Sequence, residues 1–448
     1  MDDDYDPLPT DGRYVGHPLW DWQKEALSNW EDANHCGVVE AVTGTGKSLV
    51  GIAAIHGTTK LGGRVLVVVP TVALLQQWWV AVRTALPGLR VGRLTSGFKD
   101  TFSNHDVLIT TVQTAYQNLP KAPSLGLLVA DEAHRYGSAE YSKVLDSNYP
   151  RRLALSGTYE RQQDDGIDDY LKPYFGNVVL QYGYGQALAD KVVAPFHLGF
   201  APVSFSSSEQ RRFIEASDRY DKTRLALIRD YFYPDDWNQF FFRVQGTLAE
   251  GIRDRESDLA AQFMSAFSAR RKIMTEALAK ETLAAEIAPA FSSLSGVLVF
   301  TETKDSAYKL AYGINKCSSA KPLTSDAKPA ERSATMSEFT RGRLTTICAP
   351  RLLDEGIDVP EAELAVVIAA SQTRRQMVQR MGRVIRLKKD RRHARILIVY
   401  VVGTPENPAT GGHEGFLDQI REHAATIRDF RESDPGAIMD WIRGEDAS

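Results

Sequence analysis

The run Ala41-Val42-Thr43-Gly44-Thr45-Gly46-Lys47-Ser48 has the residue types and the spacing to hold a chain of phosphates. Glycines let successive backbone N–H groups turn inward, a lysine behind them reaches the outer phosphates, and the serine hydroxyl can ligate Mg2+. The run sits between the apolar Gly37 to Val39 segment and a helical pattern starting near Leu49, so a helix N-terminus adds its positive end. Ala41 stands where the generic pattern has its first glycine. Downstream, Leu127-Leu128-Val129-Ala130 delivers Asp131 and Glu132 to the end of an apolar strand, where open α/β sheets bind ligands. Behind a phosphate loop, Asp131 is the candidate Mg2+ ligand and Glu132 the candidate to orient or deprotonate an attacking water.

Many ATPases carry that much. A second set of residues is more specific: Leu352-Leu353-Asp354-Glu355-Gly356-Ile357-Asp358-Val359-Pro360, then Gln379-Arg380-Met381-Gly382-Arg383-Val384-Ile385-Arg386, with Arg383 and Arg386 three apart on one helical face. With Asp131-Glu132-Ala133-His134, Ser156-Gly157-Thr158 and the upstream Trp20-Asp21-Trp22-Gln23, these resemble helicase superfamily 2. The resemblance is nearest to the DEAH-box branch of XPB-like repair helicases, phage recombination helicases and restriction-enzyme motor subunits, and it runs from about Leu19 to Val401. It implies ATP and Mg2+ as cofactors and two RecA-like parallel-sheet domains. Lys47, Asp131, Glu132, Gln379, Arg383 and Arg386 take the catalytic roles, the two arginines as fingers on the γ phosphate. Gln23 reads the adenine edge, Thr43, Gly44, Thr45, Gly46, Lys47 and Ser48 form the phosphate loop, Gly356 and Asp358 add nucleotide contacts, and Ser48 and Asp131 hold the metal. His134, Ser156 and Thr158 couple nucleotide state to the nucleic-acid cleft. Pro70, Thr71, Thr110, Thr111, Gln113 and Thr301 contact nucleic-acid phosphates without reading bases. One position departs: Pro350 stands where the family carries Thr or Ser, and it has neither hydroxyl nor N–H.

The elements that must position these residues are legible as an α/β alternation. Strand-like runs at Gly37 to Val39, Arg64 to Val69, Val107 to Ile109, Leu127 to Ala130 and Arg152 to Leu155 alternate with helical patterns, the mark of a parallel sheet. From Phe205 to Phe291 the β-branched runs vanish and helices are expected. The alternation resumes at Val297 to Phe300, Thr345 to Cys348, Ala365 to Ala369 and Ile396 to Val401. The expected organisation is a first domain over 1–204, a helical spacer over 205–290, a second domain over 291–403 and a C-terminal helical tail over 404–448. In that tail, His413 to Phe430 reads as an amphipathic helix with Phe416, Ile420 and Ile427 near one face.

Composition bounds the rest. The chain has 448 residues, a net charge of −4 and only three cysteines, which excludes a disulfide framework and a coat of basic residues. Charge is instead local: Ser371 to Arg395 holds ten basic residues against Asp390 alone. The acidic start is no signal peptide and no apolar run reaches membrane-spanning length, so a cytoplasmic protein with no membrane partner is expected. The expected partner is DNA, single- or double-stranded, ahead of RNA, with duplex translocation as good a reading as strand separation because no separating wedge or hairpin is legible. An ATP-gated clamp or scaffold subunit with slow hydrolysis, working with a nuclease or a repair or defence subunit, shares every motif. A P-loop kinase or GTPase does not explain the arginine helix.

Overall fold

The structure, a computed structural model, describes residues 13–121, 125–145, 148–157, 159, 166–350, 362–368, 393–410, 417, 420–432 and 434–445. Thr158, Gly356, Asp358, Gln379, Arg383, Arg386 and Phe416 lie outside the described residues. The rest fall into two compact units that divide between Pro195 and Phe196, except that His393 groups with the first.

The first unit is built on seven strands: β1 (Cys36–Ala41), β2 (Arg64–Val69), β3 (Val91–Leu94), β4 (Val107–Thr111), β5 (Gly126–Asp131), β6 (Arg151–Ser156) and β7 (Val178–Tyr182). Their order is β3-β4-β2-β5-β6-β1-β7 and every pair is parallel. In a parallel sheet all strands end on one edge, so the chain leaving β1, β2, β4, β5 and β6 emerges side by side. The register shows it: Val69 lies opposite Thr111, Asp131 opposite Leu155 and Glu40 opposite Ser156. The five strands read from sequence are the inner ones, whose apolar runs are buried on both faces. The two that were not read are the edges, β3 and β7, where half-exposed Arg93 and exposed Gln181 break the apolar pattern.

The second unit has seven more: β8 (Phe196–Val203), β9 (Val297–Phe300), β10 (Ala320–Pro322), β11 (Thr346–Ala349), β12 (Leu364–Val367), β13 (Ala394–Val401) and β14 (Thr426–Asp429). The order is β10-β11-β9-β12-β13-β8-β14, again all parallel. Two expectations are corrected here. The first domain does not extend to residue 204, because β8 pairs along its whole length with β13, from Phe196 opposite Ala394 to Val203 opposite Val401. The segment expected as an amphipathic helix instead contributes β14, which pairs with β8 and leaves Ile427 41% exposed. Without β14 the outer backbone of β8 would stand unpaired, and β-branched Thr426 and Ile427 suit a strand. The terminal helix is Pro435–Arg443, capped by Asp434, and it sends Ile438, Trp441 and Ile442 into the second sheet's core. The tail therefore belongs to the second unit.

The helical stretch is helical as expected: Ser207–Tyr231, Trp237–Ala249, Arg255–Thr275 and Leu278–Ile287. The first three share a core of their own around Leu227, Phe240, Val244 and Phe263, whereas Ala284 and Ile287 of the fourth join the second sheet's core. That fourth helix carries Lys280, fully buried, whose ammonium donates to Glu406 at 2.6 Å and to the Ile368 carbonyl at 2.7 Å, just past the end of β12. Burial lowers the lysine's pKa and raises the glutamate's, each opposed by the partner. Breaking such a pair leaves a buried charge, so Lys280→Ala should lower stability in urea unfolding by about 3–5 kcal/mol, and Lys280→Met with Glu406→Leu should recover most of it.

Candidate active site

The phosphate loop joins β1 to the Lys47–Lys60 helix. Gly44 and Gly46 have φ of 91° and 85°, left-handed backbone open to glycine at little cost, and these turn the loop. A side chain at Gly46 would also come within 3.2 Å of Gln23 Nε2. Thr45 closes the loop from inside, its hydroxyl donating to the Val42 carbonyl at 2.7 Å. Lys47 is buried and its Nζ donates to the Ala41 carbonyl at 2.9 Å, so the ammonium rests on the loop's own backbone. Thr43 is half-buried, and Ser48 is exposed in the first turn of the helix.

Gln23 is tied into the structure at both ends of its amide. Its Oε1 accepts the Trp20 N–H at 3.0 Å, capping the Asp21–Asp32 helix, while its Nε2 lies 3.1 Å from the Gly46 carbonyl and 3.4 Å from that of Thr45. The buried amide thus ties the first helix to the phosphate loop.

Asp131 ends β5, two strands from β1, and is buried. Its Oδ2 accepts Trp78 Nε1 at 2.8 Å and its Oδ1 accepts the Glu132 N–H at 3.0 Å. Burial, and then the neighbouring Glu132 carboxylate, push its pKa up to about 6, against the opposing pull of Trp78 and Lys47. Glu132 follows in left-handed backbone at φ 51°, ψ 46°, rare for a residue with a side chain and costing on the order of 1–3 kcal/mol. The strain turns the chain sharply off the strand, and the Glu132 carboxylate lies 3.4 Å from His134 Nδ1. His134 is buried; the same nitrogen is 2.9 Å from Ser156 Oγ, so the ends of β5 and β6 are linked, while its Nε2 is buried without a partner among the described residues.

This donor set fits a metal–nucleotide. A buried carboxylate with raised proton affinity gains most from a nearby cation, and Mg2+ is commonly held by one or two carboxylates together with substrate phosphates. Gly157 fits too: a Cβ there would stand 3.1 Å from Lys47 Nζ and 3.3 Å from Thr43 Cγ2, so glycine keeps clear the space the lysine needs. Trp78 and Glu40 were not singled out by sequence. Trp78 sits in an apolar helical run that reads as core, whereas Glu40, a carboxylate inside an apolar strand beside the loop, was a readable signal; it accepts the Tyr159 N–H at 2.7 Å and binds Gln181 at 3.2 Å.

The strand-end residues expected to touch nucleic acid divide. Thr71 and Thr111 are helix N-caps, their hydroxyls accepting the N–H of Leu74 at 3.3 Å and of Thr114 at 3.4 Å. Pro70 is buried and Gln113 exposed. Thr110 and Thr301 are buried, as is Thr111, and their hydroxyls donate to the Leu94 carbonyl at 2.9 Å and the Thr303 carbonyl at 3.0 Å.

Two seven-stranded parallel sheets, the first carrying a phosphate loop and a buried Asp-Glu strand end, define a RecA-like P-loop ATPase architecture. Residues 17–161 match the family described as the type III restriction enzyme res subunit, and residues 279–388 match the helicase conserved C-terminal domain. The chain is 29% identical over 397 residues to the DNA 3'-5' translocase XPB2 of Sulfurisphaera tokodaii, covering 85% of this chain and 81% of that protein. It is 25% identical over 418 residues to a protein of Haloarcula marismortui named putative DNA 3'-5' helicase Rad25, covering 91% of this chain but 55% of that one. Among solved structures, the Pyrococcus furiosus Hef helicase domain superposes with a TM-score of 0.58 at 18% identity, over 89% of this chain and 97% of that one. The DNA-bound restriction-modification enzyme LlaBIII gives 0.60 at 15%, over 96% of this chain and 32% of that one. These matches make the chain similar to the XPB-like helicases of superfamily 2.

The raised pKa of Asp131 gives a test that needs no substrate. A folded pKa above the unfolded value means the folded state holds its proton more tightly. The destabilisation is absent below about pH 4, grows as pH rises, and is complete above about pH 6. Asp131→Asn keeps an acceptor for Trp78 but turns its amide N–H onto that of Glu132, a pH-independent loss, so the test is the pH dependence: the stability difference between the two proteins should move in the variant's favour by up to about 3 kcal/mol from pH 4 to pH 7.5 in urea unfolding.

Proposed function

We propose that this chain is an ATP-driven motor on DNA, a helicase or translocase that hydrolyses ATP at the Lys47–Asp131 edge of the first sheet. The observation that carries the reading is the convergence of Lys47, Asp131, Glu132 and the His134–Ser156 link on one sheet edge, in a chain with a superfamily 2 sequence. Relatives named as DNA 3'-5' translocases and helicases support DNA as the track and 3'-5' as the direction.

Bound Mg2+ would neutralise phosphate charge, held by Asp131 and Ser48. Lys47 exchanges the Ala41 carbonyl for phosphate oxygens. Glu132, already turned off the strand, orients the attacking water and accepts its proton. His134, bonded to Ser156, carries the change at β5 to the chain leaving β6. Gln379, Arg383 and Arg386 are the proposed partners of the γ phosphate, with Gly356 and Asp358 nearby, and Thr158 belongs to the same relay. Gln23 reaches adenine as well as the loop. Thr71, Thr111 and Gln113, at strand ends on the same edge, and the helix starts that the two threonines cap are the proposed phosphate-tracking groups. No helix among the described residues is long and apolar enough to cross a membrane, and with Cys36, Cys317 and Cys348 all free thiols a cytoplasmic location is proposed. A nuclease or a repair or defence subunit is the proposed protein partner.

ATP hydrolysis measured with single-stranded DNA, duplex DNA, RNA and no nucleic acid tests this. DNA should stimulate the rate above RNA, and Lys47→Ala and Glu132→Gln should each cut it by roughly 100-fold or more. Equal, negligible rates under all four conditions would overturn the motor.

A further inference from the structure

The outermost strand of the first sheet ends in a feature the active site does not use. After β3 the chain turns through Thr95 to Phe98 and returns as Lys99, which pairs with Leu94 in an antiparallel bridge. The turn is tightly closed: the Thr95 N–H donates to the Phe98 carbonyl at 2.8 Å, the Gly97 N–H to Thr95 Oγ1 at 3.2 Å, and the Arg93 N–H to Asp100 Oδ2 at 2.8 Å. Phe98 at its tip is 45% exposed, and a Cβ added at Gly97 would meet nothing within 4 Å, so the tip stands clear.

Behind Phe98 runs an alternating ladder of cations and rings. The Arg93 guanidinium lies 3.7 Å from the Phe98 ring centroid and 4.5 Å from that of Trp79, and Arg83 lies 4.3 Å from Trp79. Gln76 Oε1 accepts from Arg93 at 3.3 Å and holds the middle of the ladder. Arg93 thus lies over one face of the Phe98 ring, and the residue stays 45% exposed. Its register puts it where a motor would use it: Leu94 lies opposite Thr110 on β4, whose end lies beside that of β2, so the tip stands on the edge of Thr111 and Thr71. The segment from Arg83 to Asp106 carries four basic residues against two acids, within a chain of net charge −4.

We propose that Phe98 is a stacking platform for an unpaired DNA base, the next rung of this ladder. The proposal rests on the reading of the chain as a DNA motor. Bases inside a duplex are already stacked on both faces, so the platform takes a single strand or a frayed end, with the nearby cations drawing in the backbone.

The test uses the full chain without nucleotide, measuring fluorescence anisotropy of a labelled single-stranded oligonucleotide and of a blunt duplex of the same sequence. Phe98→Ala and Phe98→Leu should each weaken single-strand binding roughly 5- to 150-fold, leave duplex binding within about twofold, and leave DNA-free ATP hydrolysis unchanged; Phe98→Trp should restore single-strand binding. Unchanged single-strand binding in Phe98→Ala, or an equal loss on duplex, would overturn it. Because the binding assay contains no ATP, a chain that failed to hydrolyse ATP yet lost single-strand binding on Phe98→Ala would reject the motor and keep the platform.

Discussion

A carboxylate buried at the end of a central strand sets the terms for this molecule. Asp131 has two hydrogen-bond donors and a lysine in its electrostatic neighbourhood, yet burial beside Glu132 still holds its pKa near 6. Such a group is costly in the unliganded protein and is relieved by a cation. The cost is structural as well: Glu132 is held in left-handed backbone, and His134 is buried with one nitrogen unpartnered among the described residues. A site strained in several places at once is one whose parts gain from the same ligand.

Parallel strand order turns that local arrangement into a machine part. Because every pair in the first sheet runs the same way, the phosphate loop, the Asp131 strand end, the Ser156 strand end and the Thr71 and Thr111 helix caps share one edge. His134 links the end of β5 to Ser156 at the end of β6, and the Phe98 turn stands at the outer end of the same row.

How much of this was legible in the sequence follows burial. Inner strands such as Arg64–Val69 and Leu127–Ala130 are covered on both faces and announce themselves as apolar runs, and the residues at their ends stood out because their types are out of place there. Edge strands lack that signature. β3 and β14 carry polar residues, and β8 was assigned to the wrong unit because its partner β13 lies nearly two hundred positions further along the chain. Partners contributed by other elements were equally hidden: Trp78 on Asp131 and Gln23 on the loop depend on how helices pack over the sheet. The burial of Thr110, Thr111 and Thr301 was hidden in the same way, because residue type at a strand end does not tell what packs over it.

The most direct test of the buried-carboxylate account is the proton count on binding MgATP, taken by calorimetric titration at pH 6 in two buffers of different ionisation enthalpy. A group with its pKa near 6 is half protonated there. Wild-type protein should therefore release about half a proton more than Asp131→Asn, with the excess fading by pH 7.5. Equal proton counts for the two proteins at pH 6 would contradict it.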